Sequence, residues 1–231
     1  MVLEPDIAAV AALLADPTRS AILSALADGS HRPAGELARL AGVRPQTASE
    51  HLDKLVRGRL ISMHRQGRFR YYGLASPRIA HILETLAEVA MPAATRSTRE
   101  TVEVRTLRLG RTCYDHLAGR LGVELAEGLC RANVVRPSRE EWELGPPGRD
   151  WLRERGMPSE PAPGQRRRLA PLCLDWSERR FHIGGWLGAT LAVWLFERQW
   201  IERGSLPRAV HLTRQGRKGL KDLLGIDGLP L

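Results

Sequence analysis

The sequence lacks the long hydrophobic run and the leader that mark membrane and secreted proteins. Its longest apolar stretch, Ile183 to Phe196, has 14 residues, fewer than the roughly 18 that a spanning helix needs. The first apolar run, Ile7 to Ala15, follows Glu4 and Asp6 rather than a basic segment, so no secretory signal is expected. These absences predict a cytoplasmic protein with no membrane partner.

Cysteine is also scarce, with three residues in a chain of 231. Cys113, Cys130 and Cys173 cannot all pair within one chain, which argues against a disulfide framework. In a reducing compartment, such residues are buried thiols, metal ligands or redox sensors.

Three signatures of common enzyme classes are missing as well. The sequence contains no nucleophile elbow, no phosphate-binding P-loop and no HExxH zinc-protease motif. We therefore predict that the protein is not an enzyme.

Charge, by contrast, is abundant and one-sided. The net charge is +9 and the isoelectric point about 10.4, which favours a polyanionic partner. From Lys54 to Leu83 there is no carboxylate at all, although that stretch holds six arginines. An uncompensated basic run of this kind suits contact with nucleic-acid phosphates.

The basic run overlaps a predicted helix-turn-helix. Gly42 ends a short helix carrying Leu37 and Leu40, and Pro45 opens the next helix at a position that needs no N–H donor. In the second helix, apolar residues recur with helical spacing at Ala48, Leu52 and Leu55.

A hairpin follows this second helix. Two extended runs, Leu60 to Arg65 and Arg68 to Leu74, flank a turn predicted at Gln66-Gly67. Helix, turn, helix and hairpin together make a winged helix-turn-helix, with double-stranded DNA as the predicted partner. The predicted DNA-binding residues are Arg44, Gln46, Thr47, Ser49, Glu50, His51, Lys54, Arg57, Arg65, Arg68, Arg70 and Tyr72.

Four motifs in this region closely resemble those of the ArsR/SmtB repressors. They are Leu14 to Arg19, Glu36 to Ala38, Thr47 to Leu55, and Gly67 to Tyr72. The resemblance implies a homodimer, with the first and last helices of the domain at the interface, and repression relieved by an inducer.

The usual inducer sites of that family are not matched. The stretch Glu36 to Ala41 holds no cysteine, and the last helix offers only Arg78, His81 and Glu84 where the zinc-sensing members carry an acid and histidines. The inducer is therefore unknown, and we expect it to act on the remainder of the chain.

We predict a mainly α fold with small β-hairpins, divided into a winged helix-turn-helix domain and a mostly helical C-terminal domain, for which a winged-helix-like architecture is one interpretation. The predicted bounds are 1–90 for the DNA-binding and dimerisation domain, 91–111 for a linker, and 112–231 for a sensing or dimerisation domain. The elements predicted in the last part are helices Tyr114 to Cys130 and Ile183 to Ile201, a strand Val210 to Leu212, and a helix Gln215 to Leu224.

A weak internal repeat relates Leu144 to Leu152 with Leu212 to Leu220. It either marks two related strand-to-helix turns or arises by chance.

Cysteine, histidine and aspartate in this last part form a candidate metal site. Cys113 and His116 share a face of the predicted helix, and Cys173 and Asp175 share a face if their stretch is a strand. Together the four residues would suit a zinc-type divalent metal, with His182 and Glu178 as further donors. The alternative is a set of buried residues that bind nothing.

Two other inducer chemistries remain open. A thiol sensor could be built on Cys113 and Cys173. A cluster of tryptophans, at positions 176, 186, 194 and 200, could line a pocket for an apolar inducer, although large aromatics are more often core. The alternative to a regulator with an inducer is an architectural DNA-binding protein, which would show little sequence preference.

Overall fold

The computed structural model describes residues 5–90, 102–165 and 167–229. The chain divides into two compact units, residues 1–86 and 87–231, and each is described by itself. Among the described residues, no single helix has the length and apolar character to cross a membrane; one pair of helices, bent by 86°, passes that test only when its members are counted together.

The first unit contains five helices and three strands among its described residues. They are α1 (Ile7–Leu14), α2 (Pro17–Ala25), β1 (Arg32–Pro33), α3 (Ala34–Leu40), α4 (Pro45–Arg57), β2 (Ile61–Gln66), β3 (Phe69–Leu74) and α5 (Pro77–Val89), the last of which runs past residue 86. The strands form an antiparallel sheet in the order β1-β3-β2.

Local signals set the ends of these helices. The Asp16 carboxylate accepts a hydrogen bond of 2.9 Å from the N–H of Arg19 and so caps α2 at its N-terminus. Gly42 takes a φ of +66° just after α3, where the left-handed conformation releases the chain into the turn before α4. The position of Gly42 agrees with the sequence-based prediction.

The core of this unit joins the helices to the sheet. Its buried members include the predicted stripe of α4, Ala48, Leu52 and Leu55, each 0 % exposed. Leu37 is equally buried, but Leu40, predicted on the same face of α3, is exposed. Because one stripe of α4 is buried in the core, the opposite face of the helix is exposed to solvent.

The wing differs from its prediction by a shift of the turn. Gln66 pairs with Phe69, so the two-residue turn is Gly67-Arg68 rather than Gln66-Gly67. Gly67, with a φ of +58°, occupies the first turn position. Arg68 therefore lies in the turn and not on a strand.

The second unit repeats one small segment, a two-stranded antiparallel hairpin followed by a helix. After an initial helix α6 (Val102–Leu109), the elements are β4 (Arg111–Cys113), β5 (His116–Ala118), α7 (Gly119–Arg131), β6 (Arg136–Pro137), β7 (Trp142–Glu143), α8 (Pro146–Glu154), β8 (Leu172–Leu174), β9 (Phe181–Ile183), α9 (Gly185–Glu197), β10 (Ile201–Arg203), β11 (Val210–Leu212) and α10 (Arg214–Leu224). Four such hairpin–helix segments are described.

Three predictions for this part were wrong in detail. Residues 102–109 of the predicted linker form α6, while 91–101 lie outside the described residues. The helix predicted from Tyr114 begins at Gly119, because Tyr114 takes a φ of +61° in a tight hairpin turn. The apolar stretch Ile183 to Ile201 is divided among β9, α9 and β10.

The core of the second unit runs through all four hairpin–helix segments. Leu129, Leu187 and Leu195 are among its most buried members, and Trp142, Trp186 and Trp194 pack there as well. The predicted strand Val210 to Leu212 is confirmed, and the last helix begins one residue before its predicted start.

Candidate nucleic-acid interface and cysteine–histidine cluster

The free face of α4 carries most of the residues predicted to contact DNA. Gln46 and Thr47 are exposed in its first turn, just before Ala48, the first buried residue of the helix. In a helix-turn-helix, the N-terminal part of the second helix reaches base edges in the major groove. The exposed residues of the predicted set are Arg44, Gln46, Thr47, Ser49, Glu50, Lys54, Arg57, Arg65, Arg68 and Arg70.

The wing presents three arginines at and near its turn. Arg65 and Arg70 are directly opposite on β2 and β3, so both side chains lie on one face of the hairpin. Arg68 instead lies in the turn, where its guanidinium is 5.1 Å from the centre of the Phe69 ring. Three cations at the hairpin tip suit a phosphate backbone.

Two residues of the predicted set are placed elsewhere. Tyr72 is 4 % exposed and belongs to the core, because β3 passes from solvent into the domain at this point. His51 is half-buried, with its Nδ1 3.6 Å from the Asp16 carboxylate that caps α2. We therefore remove Tyr72 from the interface and assign His51 to packing between α4 and α2.

In the second unit, two hairpins bring cysteine and histidine together. Cys113 pairs with His116 across β4 and β5, and Cys173 pairs with His182 across β8 and β9. The two sulfur atoms are 3.8 Å apart, and the centres of the two imidazole rings are 5.1 Å apart. The donor atoms of all four residues lie within 4.8 Å of one another.

This cluster differs from the predicted set in one ligand, since His182 takes the place of Asp175. The Asp175 carboxylate accepts hydrogen bonds from the Arg111 guanidinium at 2.9 Å and from the Gly119 N–H at 2.6 Å. The hydroxyl and N–H of Ser177 donate to its other oxygen. Asp175 thus connects the end of β8 to β4 and to α7 through hydrogen bonds. It is not a member of the cluster.

The sequence contains a signal for His182 that the predictions missed. His116, Gly119 and Gly122 recur 66 positions later as His182, Gly185 and Gly188. The histidines therefore stand at matching positions of two related segments. Asp175 was preferred because it is close to Cys173 in sequence, whereas the longer second hairpin brings His182 back across from that cysteine.

The surroundings of the two histidines shift their pKa values in opposite directions. Burial would lower the pKa of His116, but Cys113 and Asp115 raise it to about 9. Burial and the neighbouring His116 lower the pKa of His182 well below its usual 6.5. Although burial opposes it, the Arg111 guanidinium holds the pKa of the Asp175 carboxyl well below its usual range.

The tryptophans proposed as an inducer pocket are largely structural. Trp186 and Trp194 are 7 and 8 % exposed and belong to the core, and Trp194 also packs edge-on against Trp200 at 5.1 Å. Trp176 lies 4.3 Å below the Arg111 guanidinium. A cleft of about 370 Å³ runs beside Trp186 and Trp194, between α9 and the loop after α8.

Comparison with known proteins agrees with the first unit and extends over the whole chain. A family described as a helix-turn-helix domain matches residues 14–64. The uncharacterised HTH-type transcriptional regulator YdfF of Bacillus subtilis (strain 168) is 42% identical over 224 residues, which cover 97% of this chain and 99% of YdfF.

Two further matches cover a smaller share of the chain. The transcriptional repressor SdpR of the same organism is 39% identical over 61 residues, covering 26% of this chain and 67% of SdpR. The crystal structure of NolR from Sinorhizobium fredii is 29% identical, covers 38% of this chain and 95% of NolR, and has a TM-score of 0.34. Because it is 42% identical to YdfF over 97% of its own length, and because it contains an ArsR/SmtB-like winged helix-turn-helix, the chain belongs to the HTH-type transcriptional regulators.

Proposed function

We propose that this regulator binds operator DNA as a homodimer and represses transcription in the cytoplasm until an effector acts on its second unit. The observation that carries the proposal is the free face of α4. It presents Gln46 and Thr47 beside a wing whose Arg65, Arg68 and Arg70 have no carboxylate near them in sequence. Base-reading side chains next to phosphate-binding cations are what sequence-specific DNA binding requires.

The homodimer is supported by apolar surface on the first unit. Ile7 is 77% exposed on α1, a helix with no buried residue, and Ile82 and Leu86 on α5 are 44 and 45% exposed. Large apolar side chains exposed along two helices indicate a surface that another molecule covers. A second copy fits, because operators with two half-sites match a two-fold protein.

The second unit supports the effector step by its chemistry. It holds a buried cluster of cysteine and histidine, the donors that zinc-type divalent ions prefer. An effector changes DNA affinity only if it binds the two forms of the protein unequally. The second unit therefore supplies the effector site in this proposal.

The proposal is tested by incubating the purified full-length chain with fragments of genomic DNA and sequencing the fragments that it binds. Enriched fragments should share one motif with two half-sites and bind at least about 10³-fold more tightly than random DNA at the same salt concentration. Equal affinity for both kinds of DNA would favour the architectural alternative and refute the regulator.

A further inference from the structure

We infer that Cys113, His116, Cys173 and His182 form a tetrahedral site for one zinc-type divalent ion, held between two copies of a repeated hairpin–helix segment. The first copy comprises β4, β5 and α7, and the second copy comprises β8, β9 and α9. Metal binding is independent of the proposed DNA binding, and each can be tested without the other.

The spacing of the donor atoms matches such an ion. Two thiolates, each ~2.3 Å from zinc at a tetrahedral angle, would be about 3.8 Å apart, and the Cys113 and Cys173 sulfurs are 3.8 Å apart. The two imidazoles complete a set of two sulfur and two nitrogen ligands within 4.8 Å. With both thiols ionised, the charges of ligands and ion cancel, which suits a buried site.

The histidines lack partners that a metal would supply. His116 is 7% exposed and His182 is fully buried, and the Nε2 atom of each is buried without a hydrogen bond. Buried polar atoms without partners are rare, and a bound ion is one of their established explanations.

A carboxylate lies behind each histidine, on the side away from Nε2. The Nδ1 of His116 is 3.5 Å from Asp115, which pairs with Arg167 at 2.7 Å. The Nδ1 of His182 is 3.6 Å from Asp175, which pairs with Arg111 at 2.9 Å. Carboxylates at this position orient metal-bound imidazoles and make them better donors.

The two copies share identical residues from their second strand through their helix, which explains how the two histidines come to equivalent positions. The identical positions, each 66 residues apart, are His116 and His182, Gly119 and Gly185, Leu121 and Leu187, Gly122 and Gly188, Leu125 and Leu191, Ala126 and Ala192, and Leu129 and Leu195.

Packing between the copies is reciprocal. α7 contacts β9, and α9 contacts β5. A Cβ added to Gly122 would lie 3.6 Å from the Cβ of His182, and one added to Gly188 would lie 2.9 Å from the Cβ of His116. Each copy thus places a glycine against the histidine of the other, so the four ligands meet at the centre of an approximate two-fold arrangement.

The test is metal content of the full-length chain, loaded with zinc under reducing conditions and freed of excess ion. About one zinc per chain is expected. The Cys113→Ser/Cys173→Ser variant should retain less than about a tenth of that amount. Cys130→Ser is the matched control, because Cys130 lies on α7 outside the cluster, and it should bind zinc like the unaltered chain.

Cobalt substitution of the unaltered chain gives a second readout that does not depend on whether the variant folds. Co²⁺ should show the intense visible bands of a tetrahedral ion and thiolate charge transfer in the near ultraviolet. Asp115→Asn should keep the stoichiometry but weaken affinity roughly 10- to 100-fold.

Three outcomes would overturn the inference. One is an unaltered chain that binds no zinc and gives an octahedral cobalt spectrum. Another is a double-serine variant that binds zinc as well as the Cys130→Ser control. The last is a Cys113–Cys173 disulfide that persists under the same reducing conditions. None of these measurements involves DNA, so failure here leaves the proposed DNA binding standing.

Discussion

At the scale of single residues, Gln46 is the best-placed group for reading sequence. It is exposed in the first turn of α4, and a glutamine amide can form two hydrogen bonds to adenine in the major groove. Gln46→Ala should weaken operator binding by roughly 1–3 kcal/mol and leave binding to random DNA nearly unchanged. Fluorescence anisotropy with both DNAs measures the two affinities.

The control for Gln46 is Gln215→Ala, an exposed glutamine on α10 in the second unit, which should change neither affinity. If Gln46→Ala weakens both DNAs by the same factor, the side chain positions the helix and does not read bases.

Asp28 is the residue whose charge should matter most for stability of the first unit. Its carboxylate pairs with Arg32 at 2.8 Å and accepts the Ser30 N–H at 3.0 Å, and Arg32 also pairs with Glu36. Although burial opposes it, hydrogen bonds from Ser30 and the charge of Arg32 lower the pKa of Asp28. A depressed folded pKa stabilises the fold above the unfolded value of about 3.9.

That stabilisation is lost as the pH falls through the depressed folded pKa of Asp28. Asp28→Asn should therefore lower the free energy of unfolding at neutral pH, and its difference from the unaltered chain should shrink below about pH 4. Urea unfolding followed across this pH range measures the difference. A deficit of constant size at every pH would show that the charge of Asp28 is not its cause.

At the scale of elements, the wing contributes binding that does not depend on sequence. Arg65 and Arg70 face the same side of the β2–β3 hairpin, so both reach one stretch of phosphate backbone. Arg65→Ala/Arg70→Ala should weaken binding to every DNA and reduce the slope of log affinity against log salt by up to about two.

The matched control removes the same charge from the other unit. Arg136→Ala/Arg139→Ala alters two exposed arginines near β6 and should leave the slope as it is. A wing variant with the slope of the unaltered chain would place Arg65 and Arg70 away from the phosphates.

Helix ends that are set by neighbouring residues could be predicted from the sequence. Elements whose position depends on contacts with residues distant in the sequence could not. Gly42 and Pro45 fix the end of α3 and the start of α4 through neighbouring atoms, so these two helix ends match their predictions. The start of α7 was misplaced because Leu117 fits a helical pattern as well as it fits the strand it occupies.

The same distinction applies to the candidate sites. The exposed face of α4 follows from the spacing of its buried stripe, which sequence reveals directly. His182 could not be assigned by spacing from Cys173, since the turn between β8 and β9 separates them along the chain. Tyr72 was misassigned because aromatic and basic residues alternate along β3 up to the point where the strand enters the core.

At the scale of the whole molecule, dimerisation sets how DNA binding depends on concentration. Ile82 on α5 is 44% exposed and lies on the surface proposed for the second copy. Ile82→Glu should dissociate the dimer, because an unpaired carboxylate would be buried in an apolar interface. Sedimentation velocity measures the assembly, and operator affinity should fall with it.

Val193→Glu is the control, since Val193 is 54% exposed on α9 in the second unit. It should leave the assembly unchanged. A dimer that survives Ile82→Glu while Val193→Glu disrupts it would move the interface to the second unit.

The reciprocal packing of the two copies has a consequence for ancestry. Segments that match over seven positions at one constant offset, and that bury each other's histidines, are the expected product of a duplicated gene fragment. Before fusion, two separate chains with one such segment each would have met around the same axis. The tight turn at Tyr114 and the longer one before Phe181 would then have diverged later, since both lie outside the stretches that match between the two copies.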